Sequence, residues 1–131
     1  MERVLVLTDE AKTLRRLIYG LSHLNHVVVH AQGLASLHAQ LARATISMAV
    51  VDVGMGHGEA LELLRTLRAD PRSQQIPVLA LTPTPQVSAR RELREAGASA
   101  VGSSEMSLVS LSTCLQAVMH IGERVPSSRF R

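Results

Sequence analysis

Three carboxylates and one hydroxyl stand where apolar runs of this chain end. Asp9 and Glu10 follow "RVLVLT" (3–8), Asp52 closes "SMAVVD" (47–52), and Thr82 closes "IPVLALT" (76–82). If these runs are neighbouring strands, the acids and the hydroxyl face one cleft. Like charges that close are costly unless a cation sits between them. An oxygen-rich site with an open side suits Mg²⁺, which keeps several waters and uses one or two carboxylates. A carboxylate beside Mg²⁺, with a hydroxyl opposite, suits the acceptance of a phosphoryl group. The plainer reading of Asp52 is a solvated strand-end acid. The plainer reading of Asp9 and Glu10 is a pair of acids at a helix N-terminus, favoured by its positive end; for this pair the two roles are compatible.

The elements that would position these groups can be read from periodicity. After the first run, Leu14, Leu17, Ile18, Leu21 and Leu24 fall on one face of a helix. "HVVVH" (26–30) reads as a strand, and 33–44 as a helix with Leu34, Leu37 and Leu41 inward. The run 47–52 is a third strand, and Leu61, Leu64 and Leu67 stripe a helix that Pro71 stops. The run 76–82 is a fourth strand, and a helix from about Gln86 to Ala96 stops at Gly97. "SAVGS" (99–103) is a fifth strand, and Leu108, Leu111, Leu115 and Val118 stripe the last helix. Five β–α units with consecutively apolar strands imply a parallel sheet covered on both faces, a doubly wound α/β sandwich. Function in such folds gathers at the carboxyl ends of the strands.

Composition narrows the class. The 131 residues suit one domain, with residues 1–122 folded and 123–131 a polar tail or the start of a linker. Hydrophobic residues at 46% and charged residues at 19% suit a folded soluble protein. The longest apolar stretches are far short of a membrane span, and the N-terminus lacks a signal-peptide pattern, so the expected compartment is the cytoplasm. The lone Cys114 excludes an internal disulfide and reads as a small core residue. Two aromatic residues, Tyr19 and Phe130, and a net charge of +3 argue against nucleic-acid binding. The six histidines show no zinc spacing; His57, beside Asp52, is a candidate hydrogen-bond partner near it. The methionines at 48, 55, 106 and 119 read as packing, and the arginines of "ARRELRE" (89–95) as a solvated helix face. A hydrolytic enzyme on this fold would need a nucleophile elbow, a His/acid pair or a P-loop, and a flavin protein would need a phosphate cradle and ring-stacking aromatics. Neither set of features is present, so the chain is read as a non-enzyme.

Across about residues 2 to 122 the sequence resembles the receiver domain of two-component response regulators. "VLVLTDE" is similar to the family's strand leading into its acidic cluster. "AVVDVGMG" is similar to the strand carrying the phospho-accepting aspartate, with Met55 at the usual methionine three residues on. "EALELLRTLRAD", "IPVLALT" and "REAGASA" are similar to the following helix, the strand ending in the switch Ser/Thr, and the approach to strand five. The resemblance implies a flavodoxin-like sheet of order 2-1-3-4-5. It implies that Asp52 accepts phosphate, that Asp9, Asp52 and the Gly54 carbonyl hold Mg²⁺ with Glu10 as a further oxygen, and that Thr82 bonds the phosphoryl group. It also implies a histidine kinase or phosphotransfer protein upstream, a downstream protein on the 84–105 face, and leaves a homodimer open.

Several positions depart from that pattern. Thr8 replaces the first acid, Val101 the aromatic switch residue, Ser104 the lysine after strand five and Glu105 the proline after it. Gly56 stands where the family has proline, which implies a looser loop, and Pro83 where it has a small residue. At about 4 Å and an effective dielectric near 20, a unit charge is worth roughly 4 kcal/mol to a phosphate. The neutral hydrogen bond Ser104 could offer is worth about 1 kcal/mol. The expectation is therefore an atypical receiver; the alternative is a pseudo-receiver that binds partner proteins without phosphorylation.

Overall fold

Strands filled at every position, rather than at alternate ones, need cover on both faces. β3 (Met48–Asp52) and β4 (Val78–Thr82) are buried throughout, and β1 (Glu2–Leu7) is buried from Val4 onward. The computed structural model describes residues 2–83 and 85–124, of which 122–124 as backbone only. With β2 (His26–Ala31) and β5 (Ala100–Ser103) these strands form one parallel sheet, in the order β2-β1-β3-β4-β5. The doubly wound order expected from the sequence is the observed one.

Side-chain alternation along each strand splits the core in two. Leu5, Leu7, Ala49, Val51, Val78 and Ala80 pack on α2 (Leu34–Arg43), α3 (His57–Ala69) and α4 (Val87–Ala96) through Leu37, Leu41, Leu63, Leu64, Leu67 and Leu93. Val4, Val6, Met48, Val50, Leu79 and Leu81 pack on α1 (Ala11–Ser22) and α5 (Leu108–Arg124) through Leu17, Leu21, Leu111, Leu115 and Val118. Met48 is buried, Met55, Met106 and Met119 pack against these clusters, and Cys114 is half-buried against the second.

Two stripe residues are not inside. Ile18 is 45% exposed and Leu108 40% exposed. Each lies at the margin of a buried stripe: Ile18 follows Leu17, and Leu108 opens α5 a turn before its first buried leucine, Leu111. Element ends also shift. β1 stops at Leu7, because the Thr8 hydroxyl accepts from the Glu10 amide (3.0 Å) and turns the chain. β4 starts at Val78 rather than at Ile76, since the Ile76 amide is bonded back to the Ser73 carbonyl (3.3 Å) and Pro77 has no N–H. α5 continues to Arg124, and residues 125–131 of the expected tail lie outside the described residues.

Candidate functional site

The chain runs from β1 outward to β2, then crosses to β3 on the other side of β1. The sheet's switch point therefore lies between the carboxyl ends of β1 and β3. Register decides what meets there. Leu7 pairs with Val51, so the next residues, Thr8 and Asp52, come abreast. The Thr8 hydroxyl donates to Asp52 Oδ2 (2.7 Å), and the Gly54 amide donates to Asp52 Oδ1 (2.9 Å). Asp52 is 4% exposed, a buried acid with each carboxylate oxygen holding a donor, as burial requires. The position read as a missing acid thus carries a hydroxyl bonded directly to the carboxylate.

Past Asp52 the chain makes one 3₁₀ turn, Val53–Met55, and enters α3 through Gly56. Gly56 has φ +141°. Proline is fixed near −65° and cannot adopt this backbone, so glycine here answers a conformational need rather than only loosening the loop. His57, the first residue of α3, does not approach Asp52. Its Nε2 meets Glu92 Oε1 on α4 at 2.8 Å.

A cleft of about 610 Å³ opens over Asp52, lined by Asp9, Glu10, Lys12, Thr13, Arg16, Asp52, Gly54, Pro83, Ser104 and Glu105. The three carboxylates expected together are therefore in one cleft. Asp9 and Glu10 are exposed, and Glu10 sits at the start of α1 with its side chain accepting from the Thr13 hydroxyl instead of capping a backbone amide. Thr82 is buried, 3% exposed, and pairs with Ser103; its carbonyl accepts from the Ser104 amide (3.0 Å). Val101 is buried in the core, whereas Glu105 is exposed.

Sequence reasoning missed the arginines. Arg16 donates from Nη1 to the Ser104 carbonyl (2.8 Å) and from Nη2 to the Met106 carbonyl, tying α1 to the loop after β5. Arg90, read as solvated, donates from Nε to the Pro85 carbonyl (3.0 Å) and from Nη1 to the Val101 carbonyl (3.3 Å), and so joins the β4–α4 loop to β5. No local signal marks either residue, because every acceptor is a backbone carbonyl supplied by tertiary structure.

The sequence matches the family model for the response regulator receiver domain over residues 4–111. The chain belongs to the receiver domain family. The receiver is similar in fold to a putative response regulator from Chloroflexus aurantiacus, with TM-score 0.81 and 19% identity, covering 91% of this chain and 98% of that one. It is equally similar to a response regulator from Thermotoga maritima, with TM-score 0.81, 20% identity, and 92% and 98% coverage. The chemotaxis response regulator CheY4 of Vibrio cholerae gives TM-score 0.81, 21% identity, and 90% and 98% coverage. No curated protein matches the chain in sequence. The receiver is thus a module of two-component signal transduction, a class of signalling domain rather than a typical enzyme. Among the described residues no helix is long and apolar enough to cross a membrane.

Proposed function

We propose that this receiver accepts a phosphoryl group on Asp52 and passes the change to a partner protein through the α4–β5 face. The observation that carries the reading is the buried Asp52 carboxylate, at the end of β3, lining a cleft shared with Asp9 and Glu10. In the transfer, an Asp52 carboxylate oxygen forms a bond to phosphorus as the donor's P–N bond to a phosphohistidine imidazole breaks. The electron pair returns to the imidazole nitrogen, which takes up a proton. Thr82, at the end of β4, is assigned to bond a phosphoryl oxygen. The donor is a histidine kinase or phosphotransfer protein, and the compartment is the cytoplasm.

Among the described residues no three acidic or imidazole side chains gather into a metal cluster, so a Mg²⁺ site here would be weak and would rest on carboxylates and one carbonyl. Each Asp52 oxygen accepts one hydrogen bond and keeps a lone pair, and Asp9, Glu10 and the Gly54 carbonyl are the further oxygens. When bound, the cation supplies charge neutralisation at the phosphoryl oxygens. Thr8 contributes no charge to that site, so cation affinity is expected to be low. On the output face, Val87 opens α4 at 74% exposure, an apolar contact for a partner.

The Thr8–Asp52 bond also favours a second reading, a phosphorylation-independent interaction module in which Asp52 is a structural acceptor. Acetyl phosphate with Mg²⁺, followed by intact-mass measurement, separates the two. One added phosphoryl unit that disappears in Asp52→Ala supports the phospho-receiver. No added mass, or mass that persists in Asp52→Ala, leaves the interaction module.

A further inference from the structure

The cleft over Asp52 holds a cation pinned by backbone rather than by a carboxylate. Arg16 is half-buried in α1, and its guanidinium donates to the carbonyls of Ser104 and Met106 in the loop after β5. Among the described residues the ion pairs within 4 Å are His57–Glu92 and Arg72–Asp70. Arg16 therefore enters the cleft without a contact carboxylate. A guanidinium carries five N–H donors in a rigid fork; two serve the loop carbonyls, which leaves about three for a ligand.

The rest of the lining gives that charge its meaning. Asp9, Glu10, Asp52 and Glu105 make the cleft acidic, so an arriving anion is repelled everywhere except near Lys12 and Arg16. Lys12 is an exposed point charge on a flexible stem. Arg16, already held at two atoms, loses little freedom on gripping a ligand, and its planar fork matches a tetrahedral oxyanion. We propose that Arg16 is the anion-gripping residue of this cleft, binding oxygens of a phosphate or phosphoryl group beside Asp52, with Lys12 as a mobile second cation. For its biological ligand this rests on the reading of Asp52 as phosphoryl acceptor. Arg16 would then supply, from α1, the charge that Ser104 lacks.

The test is a titration of the full chain with inorganic phosphate, following the Arg16 Nε–Hε and Gly54 amide resonances by NMR. Expected are saturable shifts at both groups and a Kd at least tenfold weaker in Arg16→Gln. Arg16→Lys should recover part of the loss, and Arg43→Gln, at the far end of α2, none of the effect. If Arg16→Gln does not fold, the Nε shift in the wild type and the Arg16→Lys affinity decide. No saturable Nε shift, or an Arg16→Gln affinity within twofold of wild type, overturns the inference. Acetyl phosphate labelling of the same proteins keeps the two claims apart. An unlabelled Asp52 with Arg16-dependent phosphate binding removes the acceptor reading and leaves the anion site. Labelling of Asp52 together with an Arg16→Gln phosphate affinity within twofold of wild type removes the anion site and leaves the acceptor reading.

Discussion

Thr8 uses both of its hydrogen-bonding roles inside the site, donating to Asp52 Oδ2 and accepting from the Glu10 amide. It holds the buried carboxylate in place and fixes the turn that brings Asp9 and Glu10 to the cleft. Thr8→Val keeps the volume and removes both bonds. Loss of a hydrogen bond to a buried charged group costs about 1–3 kcal/mol. A fall in the urea unfolding free energy of about 2 kcal/mol is expected; a change below about 0.5 kcal/mol would show the hydroxyl to be dispensable. From sequence, Thr8 reads only as an absent acid. Its partnership with Asp52 depends on the β1–β3 register, which no local pattern states.

At the scale of elements, the strands were the most legible part. β3 and β4 are apolar runs because helices cover both of their faces, and both appear in the structure with only their first residues trimmed, β3 starting at Met48 and β4 at Val78. The helix stripes were legible except at their margins, where Ile18 and Leu108 turn outward. The long-range ties were not legible, since arginine reads locally as a surface residue. Arg68 of α3 is the strongest case. It donates from Nε to the Gly97 carbonyl (2.9 Å), from Nη1 to the carbonyls of Gln74 (3.1 Å) and Ile76 (2.6 Å), and from Nη2 to Ser99 Oγ (3.2 Å). Burial lowers its pKa from the ordinary arginine value. Gly97 ends α4 at φ +130°, and a Cβ there would sit 2.5 Å from Arg68 Cγ, so glycine is required by backbone and neighbour alike. Arg68→Ala frees the α3–β4 connection and the α4–β5 turn together. A loss of about 2–4 kcal/mol in chemical denaturation is expected. The exposed His57–Glu92 pair between α3 and α4 is worth under about 1 kcal/mol by contrast.

For the whole molecule, Asp70 is a contributor to acid stability. The Arg72 side chain, bonded to Asp70 at 2.7 and 3.0 Å, and then the Arg72 amide at 2.8 Å, hold the Asp70 carboxyl down from 3.8 to about 2. A depressed carboxylate stabilises the fold when ionised. Its contribution is complete above the unfolded value near 4 and is lost as pH falls toward 2. Thermal melts from pH 6 to pH 2 should show Asp70→Asn with a shallower acid decline than wild type; identical slopes would remove Asp70 from that account. The site as a whole was legible in its acids, because Asp9, Glu10 and Asp52 stand at strand ends that the doubly wound topology must bring together. Its cation was not, because Arg16 lies a full turn into α1 and reaches the cleft only through the loop after β5.

Phosphoryl acceptance comes down to one carboxylate, and a single peptide isolates it. Cleavage after Arg43 and Arg65 releases residues 44–65, which hold Asp52, Glu59 and Glu62 but neither Asp9 nor Glu10. After treatment with acetyl phosphate and Mg²⁺, borohydride reduction converts an aspartyl phosphate to homoserine, which tandem mass spectrometry can locate. Homoserine at position 52 is the expected result. An unmodified 44–65 peptide, or reduction at any other acid, would contradict it.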